Sequence, residues 1–498
     1  MRTIVVDIDG KGDYISIADA LEQASPFDVI MLKEGIYKES FSVNKPVEIV
    51  GSGENTIIAI TNKNGLVCTS SHLVLKDLTL CSQSSGTQVL VNTEKGHLIV
   101  SKCVLDCSKG NIVISGKNTK LNMEKSIVKN SSCAGITLEK CSTGSIQTTE
   151  FYNNDCGISI SDGGNPLIRD CTFFNNSIGI NINKLGEGFI DSCLFKNNDE
   201  GILVMEGSNP VIRSCQFEHN KTAALFEHAS LGIIEDCFMK YCDVGVNISN
   251  GSNPILRSVE ICSSGNYGLF FQERANGLVQ GCVIAECSIG VKLINKANPL
   301  LRHVYISHCN RHGFVAAKDS EGLLEDCEIS FCQGSGCQID ANSKTEIRNS
   351  RINYNRESGV FVSKQAGVVL VNCHINGNYL GVNVDKHSWF EIIRSQIVRS
   401  ETTGVLINER AFGLLERSYI CANLGDGIET LSGGEPVIRE CSVSQNFAYG
   451  ITLRNNSKVV LIGNYIKRNG LKSLNVEKNC EIVSLNNDLQ DDEGFFKV

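Results

Sequence analysis

Long apolar runs are missing from this 498-residue sequence: nothing approaches the roughly 18 consecutive apolar residues a membrane-crossing helix requires, so no membrane association is expected. Proline is scarce, at 7 residues, and aromatics make up 6% with a single tryptophan, Trp389; no segment is low in complexity. Positive charge is in deficit, with 46 Lys and Arg against 55 Asp and Glu, a net charge of −9 and a pI near 5.6. That balance excludes the clustered basic footprint of a nucleic-acid surface. Residues 1–16 lack the apolar core of an export signal, being interrupted by Asp7, Asp9, Gly10 and Lys11, and the expected location is the cytoplasm.

Cysteine is abundant, at 23 residues. An odd number in a long chain without an export signal argues against a disulfide framework. The absence of any Cys-x-x-Cys pair weakens a zinc reading, so neither cofactor nor metal is expected. Nine of the cysteines instead form a column: Cys103, Cys171, Cys193, Cys215, Cys237, Cys282, Cys327, Cys373 and Cys441, which reads as small buried packing groups.

That column belongs to a repeat. An apolar anchor recurs at Leu105, Ile127, Phe151, Phe173, Phe195, Phe217, Met239, Ile261, Ile284, Ile306, Ile329, Ile352, Ile375, Ile397, Ile420, Val443 and Ile466, about 22.6 residues per step. Glycines run in phase from Gly135 to Gly450, with Ala223 filling one gap, and each opens an apolar-x-apolar run such as Gly-Ile-Ser-Ile. Short β-branched segments of period two are strands, and no segment within a repeat is long enough for a stable helix. A third column, Cys107, Asn130, Asn154, Asn176, Asn198, Asn220 and onward to Asn469, predicts a hydrogen-bonded ladder between coils about 4.8 Å apart, with Asn also supplying the left-handed backbone of a turn. The fold expected is all-β: a right-handed parallel β-helix of 22–23 residues per coil.

The ends differ. Ile17, Ala18, Leu21 and Ala24 fall at helical spacing behind Ser16, a good N-cap, which predicts a short helix covering the open first coil. The expected organisation is an N-terminal cap over residues 1–30, the β-helix over 31–485, and an acidic cap or tail over 486–498.

Alternate coils carry Asn165-Pro166, Asn209-Pro210, Asn253-Pro254 and Asn298-Pro299, whereas intervening coils carry Gly188, Gly232, Gly277, Gly322, Gly367 and Gly413, so the unit is a two-coil super-repeat. The alternation of Ser-Asn-Pro-x-Ile-Arg-x-Cys with Gly-Leu-Leu-Glu-Asp-Cys-x-Ile resembles the CASH, or PbH1-repeat, β-helix of F-box only proteins and, more loosely, the SHC SH2-domain-binding proteins, over roughly residues 65–475. Gly10 to Tyr14 and Glu34 to Tyr37 are similar to the opening of pectin methylesterase-like β-helices. The first resemblance implies recognition of protein partners without a cofactor. Neither an F-box ahead of the repeats nor a zinc-finger cysteine cluster behind them is visible, so a ubiquitin-ligase role is not implied.

Many β-helices act on polysaccharides, and a lyase, hydrolase or epimerase is the alternative function. The carboxylate sets such chemistry uses are not found in order. Asn92-Thr93-Glu94 and Gly96-His97 are fragments of one of them, and Asp491-Asp492, the one adjacent Asp pair, lies in the tail. The stronger candidate is a basic column on every second coil, Lys184, His228, Arg274, Lys318, Lys364 and Arg410, joined by His387 and by Trp389. In an acidic protein such a stripe suits a protein partner with an acidic or extended segment, carbohydrate being the ligand under the alternative. Glu227, Glu273, Asp319 and Glu409 beside it neutralise part of its charge, as in a merely solvated row of turns.

Overall fold

A computed structural model describes residues 2–82, 88–114 and 116–490. The chain divides into two compact units, Met1–Val246 and Asn247–Val498, and both repeat one coil. In the first unit a typical coil has three short strands, Asn165–Arg169, Thr172–Phe174 and Ile178–Ile182, belonging in turn to a first, second and third sheet. Each pairs in parallel with its copy one coil on, so that Phe173 faces Phe195 and Phe195 faces Phe217. The second unit repeats the plan, as in Gly367–Val371, His374–Asn376 and Leu380–Val384.

Because a parallel stack places each residue beside its own counterpart, the interior is built of columns. Phe151, Phe173, Phe195 and Phe217 stack with ring centroids 4.8–4.9 Å apart, and in the second unit Ile352, Ile375, Ile397 and Ile420 are fully buried. Glycine is the second residue of these third-sheet strands because the anchor of the next coil lies against it. A Cβ on Gly157 would sit 2.5 Å from the Gly179 carbonyl and 2.9 Å from the Phe173 ring, and one on Gly359 would meet Gly381 O and Ile375 at 2.7 Å.

One coil departs from the expected register by a residue. Val128 is the fully buried anchor, facing Leu105 and Phe151, and Ile127 lies half-exposed. Correspondingly Ser131, not Asn130, takes the ladder position and donates its N–H to Asn154 Oδ1 at 3.0 Å. Side chains alternate along a strand, so such a slip exchanges inside for outside.

The asparagine ladder is present in both units. Asn154, Asn176 and Asn198 each donate Nδ2 and their own N–H to Oδ1 of the next coil's Asn at 3.0–3.1 Å, ending on Asn220. Nδ2 also donates to a backbone carbonyl, as Asn198 does to Phe173 O. The left-handed turn residue is the one before, Asn153, Asn175 and Asn197. The two roles assigned to one Asn thus fall on successive residues.

The helix spans Ile17–Gln23, with Ser16 Oγ accepting from Asp19 N–H. Ile17, Ala20 and Leu21 are its buried face, and Ala18, expected on that face, is half-exposed. Glu39 accepts from the N–H groups of Ile17 and Ala18, and Lys45 donates to the carbonyls of Leu21, Glu22 and Ala24, so the following coil caps both ends. Pairing begins ahead of the helix, Thr3–Val6 lying beside Val29–Leu32, and runs on to Asp488–Gln490 beside Tyr465–Lys467. The last part of the expected acidic tail, 491–498 with Asp491-Asp492, lies outside the described residues.

All 23 cysteines are free thiols. The nine-residue column is buried, as at Cys171, whose Sγ donates to Arg169 O. Burial pushes the thiols of Cys103 and Cys441 up to about 12 and those of Cys282, Cys327 and Cys373 up to about 11. An acid whose pKa rises on folding contributes stability that is complete below its unfolded value, near 8.5, and is lost as pH climbs toward the folded value. The melting temperature should therefore fall between pH 8.5 and 11, with a shallower slope in a Cys373→Ala, Cys441→Ala double variant; equal slopes in a pH series of thermal melts would contradict the assignment.

The ladder makes a second prediction. Asn198→Ala strips the acceptor from two buried donors of Asn176 and should cost about 2–4 kcal/mol by urea denaturation, whereas Asn197→Gly, at an exposed left-handed position, should cost only tenths.

Candidate binding surface

The chain passes from the third sheet back to the first through two successive residues of positive φ, the geometry of a type I′ turn. The pairs include Lys184 and Leu185, His228 and Ala229, Glu273 and Arg274, Lys318 and Asp319, Lys364 and Gln365, Lys386 and His387, and Glu409 and Arg410. Every cation expected on the basic column is exposed in this turn. They do not form one column. Lys184, His228, Lys318 and Lys364 hold the first position of the pair, and Arg274, His387 and Arg410 the second. Nor does the charge alternate strictly by coil in the second unit, because Lys296 and Lys386 occupy intervening turns. The steps of 46 from His228 to Arg274, 44 from Arg274 to Lys318 and 46 from Lys364 to Arg410 are the trace of that change of position, whereas the 46 from Lys318 to Lys364 joins two first positions.

Much of the charge is locally compensated. Lys364 Nζ lies 3.2 Å from the Asp340 carboxylate, and His228 Nδ1 lies 3.9 Å from Glu227. His387 and Arg410 are neighbours at the second position, joined through the backbone by His387 N–H to Glu409 O at 3.0 Å. Arg274 lies in a shallow hollow with Asn250, Gly251, Glu273 and Asn295.

Trp389 opens the strand Trp389–Ile393, in register with Gly367 on one side and Phe412 on the other. Gly367, expected in the same column as Gly322 and Gly413, sits one place earlier: Gly322 aligns through Thr345 with Val368, which faces Phe390. The shift has a steric consequence. A Cβ on Gly367 would fall within the indole of Trp389, so the ring lies directly on this glycine, and Lys344, one coil further, places its Nζ 5.7 Å from the ring. Phe412 is 51% exposed and, with Arg410, borders an open groove of about 710 Å³ that continues past Ser432, Glu435 and Asn455. The second unit thus presents a half-exposed indole and an exposed phenyl side by side, flanked by Lys344, His387 and Arg410.

Among the described residues no group of three or more His, Cys, Asp or Glu side chains is placed to hold a metal ion, and no helix is long and apolar enough to cross a membrane. Of the catalytic fragments, Asn92 and Thr93 lie in the strand Val89–Thr93 of the third sheet and His97 opens His97–Ser101 of the first.

Three parallel sheets with stacked asparagine, glycine, cysteine and aromatic columns define a parallel β-helix repeat protein. The chain belongs to the family described as right handed beta helix region, which it matches over residues 110–258, 244–387 and 380–496. No curated protein matches the sequence. Among solved structures it is similar to the periplasmic alginate epimerase AlgG, at 12% identity over 62% of this chain and 76% of that one with a TM-score of 0.42. A mutant of the PL6 family alginate lyase AlyGC is similar at 9% identity over 100% and 98%, with a TM-score of 0.41. The pectin methylesterase from Aspergillus niger is similar at 11% over 51% and 84%, with a TM-score of 0.31. Likenesses this distant carry no information on activity.

Trp389 is the sole tryptophan, so its fluorescence reports this place alone. Gly367→Ala should lift the indole from its seat and shift emission to longer wavelength, while Gly281→Ala, a glycine with open space around it but a left-handed backbone, should leave the spectrum unchanged.

Proposed function

We propose that this protein is a non-catalytic β-helix scaffold that binds a protein partner along a lateral face, with the patch around Trp389 and Phe412 as its contact in the second unit. The observation that carries the reading is the outward pairing of these two aromatics, one laid on a bare glycine backbone, within reach of Lys344, His387 and Arg410. Large rigid aromatics beside arginine are the composition of binding hot spots, and cations around them steer an acidic partner during encounter. A cytoplasmic setting agrees with free, buried, hard-to-ionise thiols.

The test is affinity capture with the whole chain, followed by binding kinetics with the purified partner. Trp389→Ala should weaken binding by about 2 kcal/mol, roughly thirtyfold in Kd, without altering the circular dichroism. Arg410→Glu should chiefly slow association, by less at high salt, because exposed charges are screened beyond about 8–10 Å. Arg274→Glu is the control for a cation at an equivalent turn. Equal affinity in all three variants would place the contact elsewhere, and new reducing or unsaturated ends on alginate or pectin incubated with the protein would replace the scaffold with a polysaccharide-active enzyme.

A further inference from the structure

A second surface of the Asn247–Val498 unit, at the second sheet and the turns flanking it and independent of the Trp389 patch, gathers arginines without an acid beside them. Other arginines of the unit do meet an acid from a neighbouring coil: Arg302 with Glu325 at 2.7 Å and Arg439 with Glu416 at 2.9 Å at the ends of first-sheet strands, and Arg417 with Glu440 at 2.7 Å in the turn that follows. Between these, Arg351, Arg394 and Arg399 are exposed, and among the described residues none has a carboxylate within ion-pairing distance, Glu328 included although it faces Arg351 in register. His374, in register between Arg351 and Gln396, is held below its ordinary pKa by burial and then by Arg351 and Arg399, so it is neutral at pH 7.

Arg351 and Arg394 border an open groove of about 650 Å³ whose floor includes Asn353 and Asn376. These two amides are only 9% and 7% exposed, and the Oδ1 of each has no hydrogen-bond partner. An unsatisfied buried acceptor is destabilising, and rotation about the soft χ2 of Asn would turn either amide toward a ligand. The rim is aromatic. His308, Phe331 and Tyr354 stack with centroids 5.2 and 5.4 Å apart, and the far face of Tyr354 rests on Gly377, where a Cβ would lie 2.6 Å from the ring.

We propose that the groove of Arg351, Asn353, His374, Asn376 and Arg394, with Tyr354 at its rim, is a binding site for an extended acidic polypeptide segment. The guanidiniums take carboxylates as charge-assisted hydrogen bonds, and the orphan amides take backbone N–H groups. Arg351 and Arg394 stand two coils apart, about 10 Å along the stack, between the spacings of same-face side chains two and four residues apart in an extended strand. A uronate chain carries the same charge but has no backbone N–H groups to offer the two orphan acceptors of the floor.

The experiment titrates the intact protein into a fluorescein-labelled octaglutamate peptide at low salt, reading anisotropy, with oligogalacturonate of equal charge as competitor. Binding is expected, weakened about tenfold by Arg351→Gln and again by Arg394→Gln, unchanged by Arg274→Gln, and displaced poorly by the saccharide. The two arginines are exposed, so either variant serves should the other fail to fold. Absence of binding, insensitivity to both substitutions, or preference for the saccharide would overturn the proposal. Loss of octaglutamate binding in Trp389→Ala would move the peptide to the patch of the proposed function, whereas failure of that patch alone leaves this groove standing.

Discussion

Everything in this molecule follows from parallel stacking of coils about 4.8 Å apart, which sets each side chain against the residue at the same place one turn away. A group that is tolerable only beside something different cannot be repeated; one that gains from its own company can. Phenylalanine stacks on itself, asparagine donates and accepts in one side chain, and both form uninterrupted columns. Cysteine is small and apolar enough to repeat without a void, and its thiol is satisfied by the carbonyl two residues back. Charge is the opposite case, since like charges in register repel. Some outward columns accordingly alternate sign, as Arg169 with Asp191 and Lys196 with Glu218. Each such exposed pair contributes only about 0–1 kcal/mol, so its value lies more in avoiding repulsion than in stability.

The two-coil period has a steric origin of the same kind. Proline at the start of a first-sheet strand has no N–H to give, and its ring occupies space toward the next coil. A Cβ on Gly232 would lie 3.0 Å from Pro210 O and 3.3 Å from its ring, and φ at Gly232 is +134°, a conformation other residues avoid. Pro166, Pro210, Pro254 and Pro299 each have a glycine one coil later, whereas Pro436 faces Val459, and there the alternation ends.

This physics explains what could be read from residues alone. The buried columns recur because stacking selects like for like, so the coil length, the sheet faces and the helix cap were legible. The register failed at one coil, where Ile127 and Val128 are both apolar and hydrophobicity could not choose between them. The ladder was found but its asparagine was credited with the turn as well, since Asn153 and Asn154 are the same residue type. On the surface the signal thins. The basic turns were visible as residues but placed in one column, because two consecutive left-handed residues both point outward and spacing alone does not separate 44 from 46. The Arg351 groove had no periodic trace, as its two arginines come from a strand start and from a turn.

Arg351, Arg394 and Arg399 stand uncompensated near two orphan amides, an arrangement that raises the energy of the free protein. Covering a glycine with the only indole is a smaller departure, for it exposes part of an apolar ring that the interior could have used. Both departures lie where a column ceases to resemble itself, Gly367 to Trp389 to Phe412 on the first sheet and Arg351 to His374 to Gln396 on the second. Repetition builds the interior, and recognition requires that repetition lapse, because a surface identical at every coil offers a partner no single register in which to bind.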